Sequence, residues 1–132
     1  MNTETKYIIV DDDPLNNTIC SLMLKRALYD VGIETFALPW EGLVFIQNNI
    51  NGLMPHSVVF LDIHMPTLTA WGFLEHYENF SEEIKKRISI YLLSSSISQR
   101  DRDKAKNYKS VKGFVSKPLT TETILSIAGN EF

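Results

Sequence analysis

The sequence predicts an α/β protein whose strands form one parallel β-sheet. Three short apolar runs each lead into a charged side chain, at Asp11, Asp62 and Lys117. Short apolar runs separated by segments of helical periodicity are typical of parallel strands that are buried on both faces. Because this alternation continues along the chain, right-handed crossovers can place all the strands in one sheet.

Each strand is predicted by its composition. The first and third strands are runs of apolar residues before an aspartate, and the third is the most apolar of the five. The second contains Thr35 and Phe36, which are good strand formers. The fourth ends at Ser94, and the fifth leads into Lys117. The expected strands cover 6–11, 33–38, 57–62, 87–94 and 111–116.

The helices are predicted by apolar periodicity and by signals at their ends. Asp13 before Pro14 fits an N-cap followed by proline at the first helical position, and Gly32 is expected to end that helix. Asn51-Gly52 predicts a turn before the third strand. The expected helices cover 14–31, 39–49, 70–77, 98–108 and a last one from Thr120 or Thr121 to near Gly129, with a further helical turn over 81–86.

Composition and charge are those of one ordinary globular domain. The 132 residues are 44% hydrophobic and 22% charged, and the formal net charge of −3 gives no attraction to nucleic acid or membrane. Cys20 is the only cysteine, so no intrachain disulfide can form. The N-terminus lacks the apolar region of a signal peptide, and no apolar run approaches the ~20 residues of a membrane helix. A cytoplasmic location is the default expectation.

The charged residues at the strand ends predict a common site. The carboxyl ends of parallel strands lie along one edge of a sheet, so Asp11, Asp12 and Asp62 would converge there with Lys117. Crowded carboxylates raise each other's pKa unless a cation joins them, which predicts a divalent metal beside the lysine. Taken alone, each signal also fits a turn or a helix cap, as for Asp13. Their joint order and spacing favour the functional interpretation.

Four motifs in this order make the chain resemble the receiver domain of two-component response regulators. They are Ile8-Ile9-Val10-Asp11-Asp12-Asp13-Pro14, Val59-Phe60-Leu61-Asp62-Ile63-His64-Met65-Pro66, Leu92-Leu93-Ser94-Ser95 and Phe114-Val115-Ser116-Lys117-Pro118-Leu119. The resemblance extends from about Lys6 to about Ala128. It implies a CheY-like, flavodoxin-like (βα)5 fold, which is a doubly wound, five-stranded parallel sheet of order 2-1-3-4-5.

By this resemblance, Asp62 is the phosphoacceptor. A carboxylate can act as a nucleophile toward phosphorus and form an aspartyl phosphate. Mg²⁺ or Mn²⁺ is the implied cofactor, with Asp12 as a direct ligand and Asp11 acting partly through water. Asp62 and the backbone carbonyl of His64 complete the implied ligands. Asp13 occupies the third acidic position, which is not a strict metal ligand in the family, and it is interpreted as the helix cap.

The resemblance also assigns a fixed cation to the site. The ammonium group of Lys117 would neutralise a phosphoryl oxygen and pair with Asp62 before transfer. The resemblance also implies that the peptide bond between Lys117 and Pro118 is cis, at the one kind of bond where cis is tolerated.

The resemblance implies that a hydroxyl group and an aromatic ring form a conformational switch, which responds to the phosphoryl group. Ser94 is the preferred donor to the phosphoryl group, but counting back from Lys117 favours Ser95, and Ser96 is a further rival. Phe114 is at the position of the family's switch aromatic. Movement of both would link the site to the face formed by helix 98–108, the fifth strand and the last helix.

The resemblance implies a signalling protein and not an enzyme with turnover. At most, slow self-catalysed phosphoryl transfer and autodephosphorylation are expected. The implied partners are a sensor histidine kinase or a histidine phosphotransfer protein, and then a downstream protein or a second copy. Neither nucleic acid nor membrane is expected as a partner. Residues 1–132 are expected to be a single receiver domain without an output domain. The sequence does not distinguish a complete protein from a receiver domain that belongs to a hybrid kinase.

Two alternatives belong to other functional classes. A small Mg²⁺-dependent phosphatase with an aspartyl nucleophile also uses carboxylates at strand ends, but its Asp-x-Asp pair follows the first strand. A docking module that works without phosphorylation is disfavoured by the complete set of candidate site residues. One departure from the family pattern is Ala70, where glycine is usual, and it leaves the start of the third helix open.

Overall fold

The computed structural model describes residues 5–49 and 56–131. All neighbouring strands of its sheet pair in parallel, in the order β2-β1-β3-β4-β5. The fold class and strand order predicted from the sequence are confirmed. The strands are β1 (Thr5–Val10), β2 (Gly32–Phe36), β3 (His56–Asp62), β4 (Ile88–Ser94) and β5 (Val111–Ser116).

Helices cover both faces of this sheet. The first and last helices pack on one face, and the other four lie on the opposite face. Within the described residues, the helices are α1 (Pro14–Ala27), α2 (Pro39–Asn49), α3 (Ala70–Tyr77), α4 (Glu82–Lys85), α5 (Gln99–Ala105) and α6 (Thr121–Glu131).

Side-chain alternation along the central strands divides the core into two layers. Phe60 of β3 belongs to the layer that contains Leu24 of α1 and Ile124 of α6. The next residue, Leu61, belongs to the layer that contains Phe73 of α3. Because residues 58–61 are fully buried, β3 is apolar without interruption and gives Asp62 at its end a rigid support.

The first helix is shorter than the sequence predicts. It ends at Ala27 and not near Val31, because the buried residue Leu28 leaves the helix with extended backbone angles (φ −125°, ψ 141°). Asp30 then adopts a left-handed conformation (φ 53°), which aspartate tolerates better than most residues. Gly32, expected to end the helix, is the first residue of β2.

Other boundaries differ by a few residues. The helix expected over 98–108 is helical only from Gln99 to Ala105, and the Ser98 hydroxyl accepts the N–H of Asp101 at its start. Thr120 precedes α6, and its hydroxyl accepts the N–H of Thr123 at 3.2 Å. The turn predicted at Asn51-Gly52 lies outside the described residues. Among the helices described, none has the length and apolar character needed to cross a membrane.

Candidate functional site

The predicted site residues lie at the carboxyl edge of the sheet. Asp11 directly follows β1, and Asp62 is the last residue of β3, in register with Leu93 of β4. Ser94 ends β4 and is paired with Ser116, the last residue of β5. The parallel register therefore brings four strand ends to one place, with Lys117 immediately after the fourth.

Lys117 joins two carboxylates. Its Nζ atom lies 2.9 Å from Oδ2 of Asp11 and 3.1 Å from Oδ1 of Asp62. Burial alone would lower the pKa of Lys117, but hydrogen bonding and charge from Asp11, and then from Asp62, raise it above the ordinary value. The lysine is therefore held protonated between the ends of β1 and β3. The peptide bond from Lys117 to Pro118 is cis.

Asp11 is fully buried and accepts several hydrogen bonds. The backbone N–H of Asp13 donates to its Oδ1 at 2.9 Å, and the side-chain amide of Asn16 donates to its Oδ2 at 2.6 Å. The side-chain amide of Asn17 donates to the backbone carbonyl of Asp11 at 2.9 Å. With Lys117, these donors fix the orientation of the Asp11 carboxylate and compensate for its burial.

Asp62 is 3% exposed and uses its two oxygens differently. Its Oδ1 accepts from Lys117 and, at 3.4 Å, from the backbone N–H of His64. Its Oδ2 receives no hydrogen bond from the described part of the chain. Oδ2 is also not one of the fully buried side-chain atoms that lack a hydrogen-bond partner there. Burial, and then the charge of Asp11, raise the pKa of Asp62, while Lys117 opposes the shift. One oxygen of Asp62 is thus held by two protein donors, and the other has none among the described residues.

Asp12 adds a third carboxylate to this group. One oxygen from each of Asp11, Asp12 and Asp62 lies within 4.8 Å of the others. Asp12 is half-buried, and within residues 5–49 and 56–131 its side chain has no hydrogen bond or ion pair. Three carboxylates against one ammonium leave an excess of negative charge, which is the donor set that hard divalent cations prefer.

Solved structures match nearly the whole chain. A response regulator receiver protein from Dyadobacter fermentans matches with a TM-score of 0.84 at 24% identity, and 96% of each chain is covered. A two-component response regulator from Cytophaga hutchinsonii also matches with a TM-score of 0.84 at 24% identity, over 96% of this chain and 95% of that one. The chain has the receiver fold.

A third structure with the receiver fold is the chemotaxis response regulator CheY4 of Vibrio cholerae. It matches with a TM-score of 0.76 at 23% identity, over 97% of this chain and 98% of that one. Neither the comparison with protein-family models nor that with curated proteins gave a match.

Within the receiver fold, the three candidate serines differ in burial. Ser94 is 1% exposed, whereas Ser95 and Ser96 are exposed. The Ser94 hydroxyl donates to the carbonyl of Ser96 at 2.7 Å and accepts the N–H of Ser96 at 3.1 Å. Because Ser94 pairs with Ser116 and Leu92 pairs with Phe114, alternation puts Ser94 and Phe114 on the same face of the sheet.

The other predicted residues lie at the margin of the site. Phe114 is half-buried, and the guanidinium of Arg102 lies 5.2 Å from its ring centroid. Asp13 is exposed and caps α1 by accepting the N–H of Leu15, as predicted. His64 is exposed, and its backbone N–H is directed to Asp62.

Sequence reasoning missed Asn16 and Asn17. Both are buried, and both contact Asp11. The sequence contains a signal for Asn16, because it precedes Cys20 and Leu24 at intervals of four on the buried face of α1. A polar side chain at such a position needs a hydrogen-bond partner, and the nearby strand end supplies one.

Proposed function

We propose that this protein is the phosphoacceptor receiver of a two-component system or phosphorelay. The donor would be a phosphohistidine of a sensor histidine kinase or of a histidine phosphotransfer protein. The observation that carries the proposal is Lys117, which bridges Asp11 and Asp62 beside a third carboxylate at the ends of parallel strands. The receiver fold of the matched structures supports it.

Asp62 is the proposed acceptor, through Oδ2. Lys117 and the N–H of His64 hold Oδ1, so the second oxygen can approach phosphorus while the carboxylate keeps its orientation. A bond forms between Oδ2 and phosphorus as the bond from phosphorus to the histidine nitrogen breaks, and the donor nitrogen keeps that electron pair. The Lys117 ammonium lies where it can stabilise negative charge on a phosphoryl oxygen.

Asp12, Asp11 and Asp62 are the proposed side chains that hold Mg²⁺ or Mn²⁺, with the carbonyl of His64 as the remaining protein ligand. The clustered carboxylate oxygens fit a hard cation. Such a cation would supply positive charge opposite Lys117. Asp11 already accepts from Asn16, Asp13 and Lys117, which supports an indirect role for it. Asp12, without a protein partner in the described chain, is suited to direct coordination.

The proposed output is a conformational change at the surface formed by α5, β5 and α6, here called the output face. For Ser94 to donate to a phosphoryl oxygen, its hydroxyl must leave the carbonyl of Ser96, only two residues before the Ser98 cap of α5. Phe114 shares a sheet face with Ser94 and can respond to that change. The output is contact with a downstream protein or a second copy, with no enzymatic turnover, and a cytoplasmic location is part of the proposal.

Intact mass spectrometry after incubation with Mg²⁺ and acetyl phosphate tests this function. Wild type should gain the mass of one phosphoryl group, and Asp62→Asn should gain none. Asp13→Asn is the matched control, because Asp13 is an exposed helix cap and asparagine caps equally well.

Three other outcomes would contradict the proposal. Equal labelling of Asp62→Asn and wild type would exclude Asp62 as acceptor. Continuous hydrolysis of a small phosphate ester would favour the phosphatase alternative, and a chain that is never labelled would favour a docking module.

A further inference from the structure

The buried amide of Asn16 is fixed in one orientation beside Asp11. Asn16 is the third residue of α1 and is 7% exposed. Its nitrogen donates to Oδ2 of Asp11 at 2.6 Å and, one helical turn further on, to the sulfur of Cys20 at 3.6 Å. A carboxylate oxygen accepts hydrogen bonds, so only the nitrogen of the amide can face it. Asn16 therefore presents an N–H group to Asp11 from a capped and well-packed helix.

The oxygen that Asn16 contacts is also the one that Lys117 contacts. Nζ of Lys117 lies 2.9 Å from the same Oδ2. Because a carboxylate oxygen has about two lone pairs, the two donors together occupy Oδ2. On the other oxygen, the N–H of Asp13 takes a further position at 2.9 Å. With these donors in the described chain, Asp11 keeps room for about one cation contact, through Oδ1.

The number of available oxygens decides which divalent cation a carboxylate site suits. Mg²⁺ is bound by few carboxylates and keeps several waters, whereas Ca²⁺ takes roughly 6–8 oxygen ligands and accepts bidentate carboxylates. With Oδ2 occupied, the carboxylate of Asp11 cannot bind a cation through both oxygens. The amide of Asn16 is neutral, so it removes an oxygen from the site without changing the charge. Its hydrogen bond therefore favours the smaller and more hydrated cation.

We propose that Asn16 is a positioning residue that gives the carboxylate site its preference for Mg²⁺ over Ca²⁺. It acts through Asp11, whose Oδ2 it occupies together with Lys117. Lys117 alone is not sufficient, because it would leave one position on Oδ2 open. This inference rests on the proposed function, since the cation is the one that Asp11, Asp12 and Asp62 are proposed to hold.

Isothermal titration calorimetry with Mg²⁺ and with Ca²⁺, without phosphodonor, tests this role. In Asn16→Ala, Oδ2 becomes open to Ca²⁺, and Asp11 loses a hydrogen bond that orients it for Mg²⁺. The ratio of the Ca²⁺ to the Mg²⁺ dissociation constant should therefore fall about tenfold, which is the lower end of the effect of such hydrogen-bond partners on metal affinity. Asn16→Asp keeps the shape of the side chain, and its carboxylate cannot donate. It should shift the ratio in the same direction, and it decides the question if the alanine variant does not fold.

The matched control is Asn17→Ala. Asn17 is also buried on α1, but its amide donates to the backbone carbonyl of Asp11 at 2.9 Å and not to the carboxylate. This variant should keep the wild-type ratio of dissociation constants, even where its thermal unfolding temperature falls. A purely structural role of Asn16 would lower the stability of both alanine variants and leave both ratios unchanged.

Two outcomes would overturn the proposal. The ratio could remain that of wild type in both Asn16 variants, or it could shift equally in Asn17→Ala. Intact mass after incubation with Mg²⁺ and acetyl phosphate is measured separately on wild type. Normal labelling together with an unchanged ratio in the Asn16 variants would refute only this inference. The expected shift of the ratio in a protein that is never labelled would refute only the proposed function.

Discussion

At the scale of single residues, the two buried aspartates of the site differ in how their charge is compensated. Asp11 accepts from Asn16, from the N–H of Asp13 and from Lys117. Asp62 has its protein donors on one oxygen only, and burial together with the charge of Asp11 raises its pKa. The Asp11 carboxylate therefore has more hydrogen-bond donors than the Asp62 carboxylate, and the raised pKa of Asp62 means that its ionised form is disfavoured in the folded state.

This difference predicts that Asp62→Asn stabilises the protein in the absence of metal. Because the pKa of Asp62 is raised in the folded state, ionisation costs stability as the pH rises from the ordinary value of 3.8 through the raised one. In chelator at neutral pH, thermal unfolding of Asp62→Asn should occur at a higher temperature than that of wild type. Well below pH 3.8 the two proteins should converge, and at neutral pH the exposed cap variant Asp13→Asn should melt close to wild type. A lower melting temperature for Asp62→Asn at neutral pH would contradict this interpretation.

Asp12 is predicted to control metal binding. Asp12→Ala removes the only carboxylate of the cluster that has no protein partner among the described residues, so it should abolish Mg²⁺ binding and acetyl phosphate labelling together. Isothermal titration calorimetry measures the binding, and intact mass measures the labelling. Wild type should also melt at a higher temperature in Mg²⁺ than in chelator, because a ligand bound to the folded state stabilises it. Full labelling in excess chelator would show that the cation is not required.

The strand ends could be predicted from residue types alone, but the hydrogen bonds around them could not. Asp11, Asp62 and Lys117 each follow an apolar run, and the parallel sheet brings them together. Asn16 and Asn17 lie on α1, and their role depends on the angle at which that helix leaves the strand. That angle is a property of the packed structure, which the sequence pattern does not specify.

At the scale of secondary-structure elements, α3 begins where the sequence placed it in spite of the alanine that replaces the usual glycine. Thr69 caps the helix by accepting the N–H of Gly72 at 3.2 Å, and Ala70 is fully buried. Among the described residues other than glycine, only Asp30 has a positive φ, so Ala70 needs no conformation reserved for glycine. The loop after Asp62 therefore accommodates the methyl group without backbone strain.

Ala70→Gly is accordingly predicted to destabilise the protein, although it restores the residue usual in the family. In a helix interior glycine costs about 1 kcal/mol relative to alanine, which is an upper limit for Ala70 at the first helical position, and the buried methyl group is lost as well. Urea denaturation should show a lower midpoint with an unchanged slope, while acetyl phosphate labelling of Asp62 persists. An increase in the midpoint would mean that alanine is strained there. Ala27→Gly, at the end of α1, is the matched control for helix propensity without full burial.

Element boundaries were less predictable than element identities. The periodicity of α1 extends beyond Ala27, but burial of Leu28 against the sheet favours extended backbone and ends the helix. Similarly, Ser98 caps α5 as its hydroxyl allows, whereas the polar residues 106–108 lie beyond the helix. Helical and non-helical conformations differ little in energy at helix ends, so local propensity alone does not place these boundaries.

At the scale of the whole molecule, the site and the output face are connected through β4, β5 and the start of α5. Ser94 ends β4 and is hydrogen-bonded to Ser96, and the carbonyl of Ser94 accepts the N–H of Lys117 at 3.0 Å. Ser94 and Phe114 share one face of the sheet, and Phe114 lies on β5, which is part of the output face. A rearrangement at Ser94 can therefore reach both the lysine of the site and the output face.

This connection predicts how phosphorylation changes amide hydrogen exchange. In wild type, phosphodonor and Mg²⁺ should alter protection across residues 94–117. Ser94→Ala should weaken the response, because a hydrogen bond to a charged group contributes about 1.5–3 kcal/mol, enough to shift a two-state equilibrium about tenfold or more. Lys117→Ala should reduce the response more than it reduces phosphate incorporation, since Lys117 joins the site to the end of β5.

The control is Lys86→Ala, which removes an exposed lysine that pairs only with Glu83 in the described chain. This variant should respond like wild type. Unchanged protection over residues 94–117 in fully phosphorylated wild type would refute the coupling, because the chemistry would then have occurred without changing the output face.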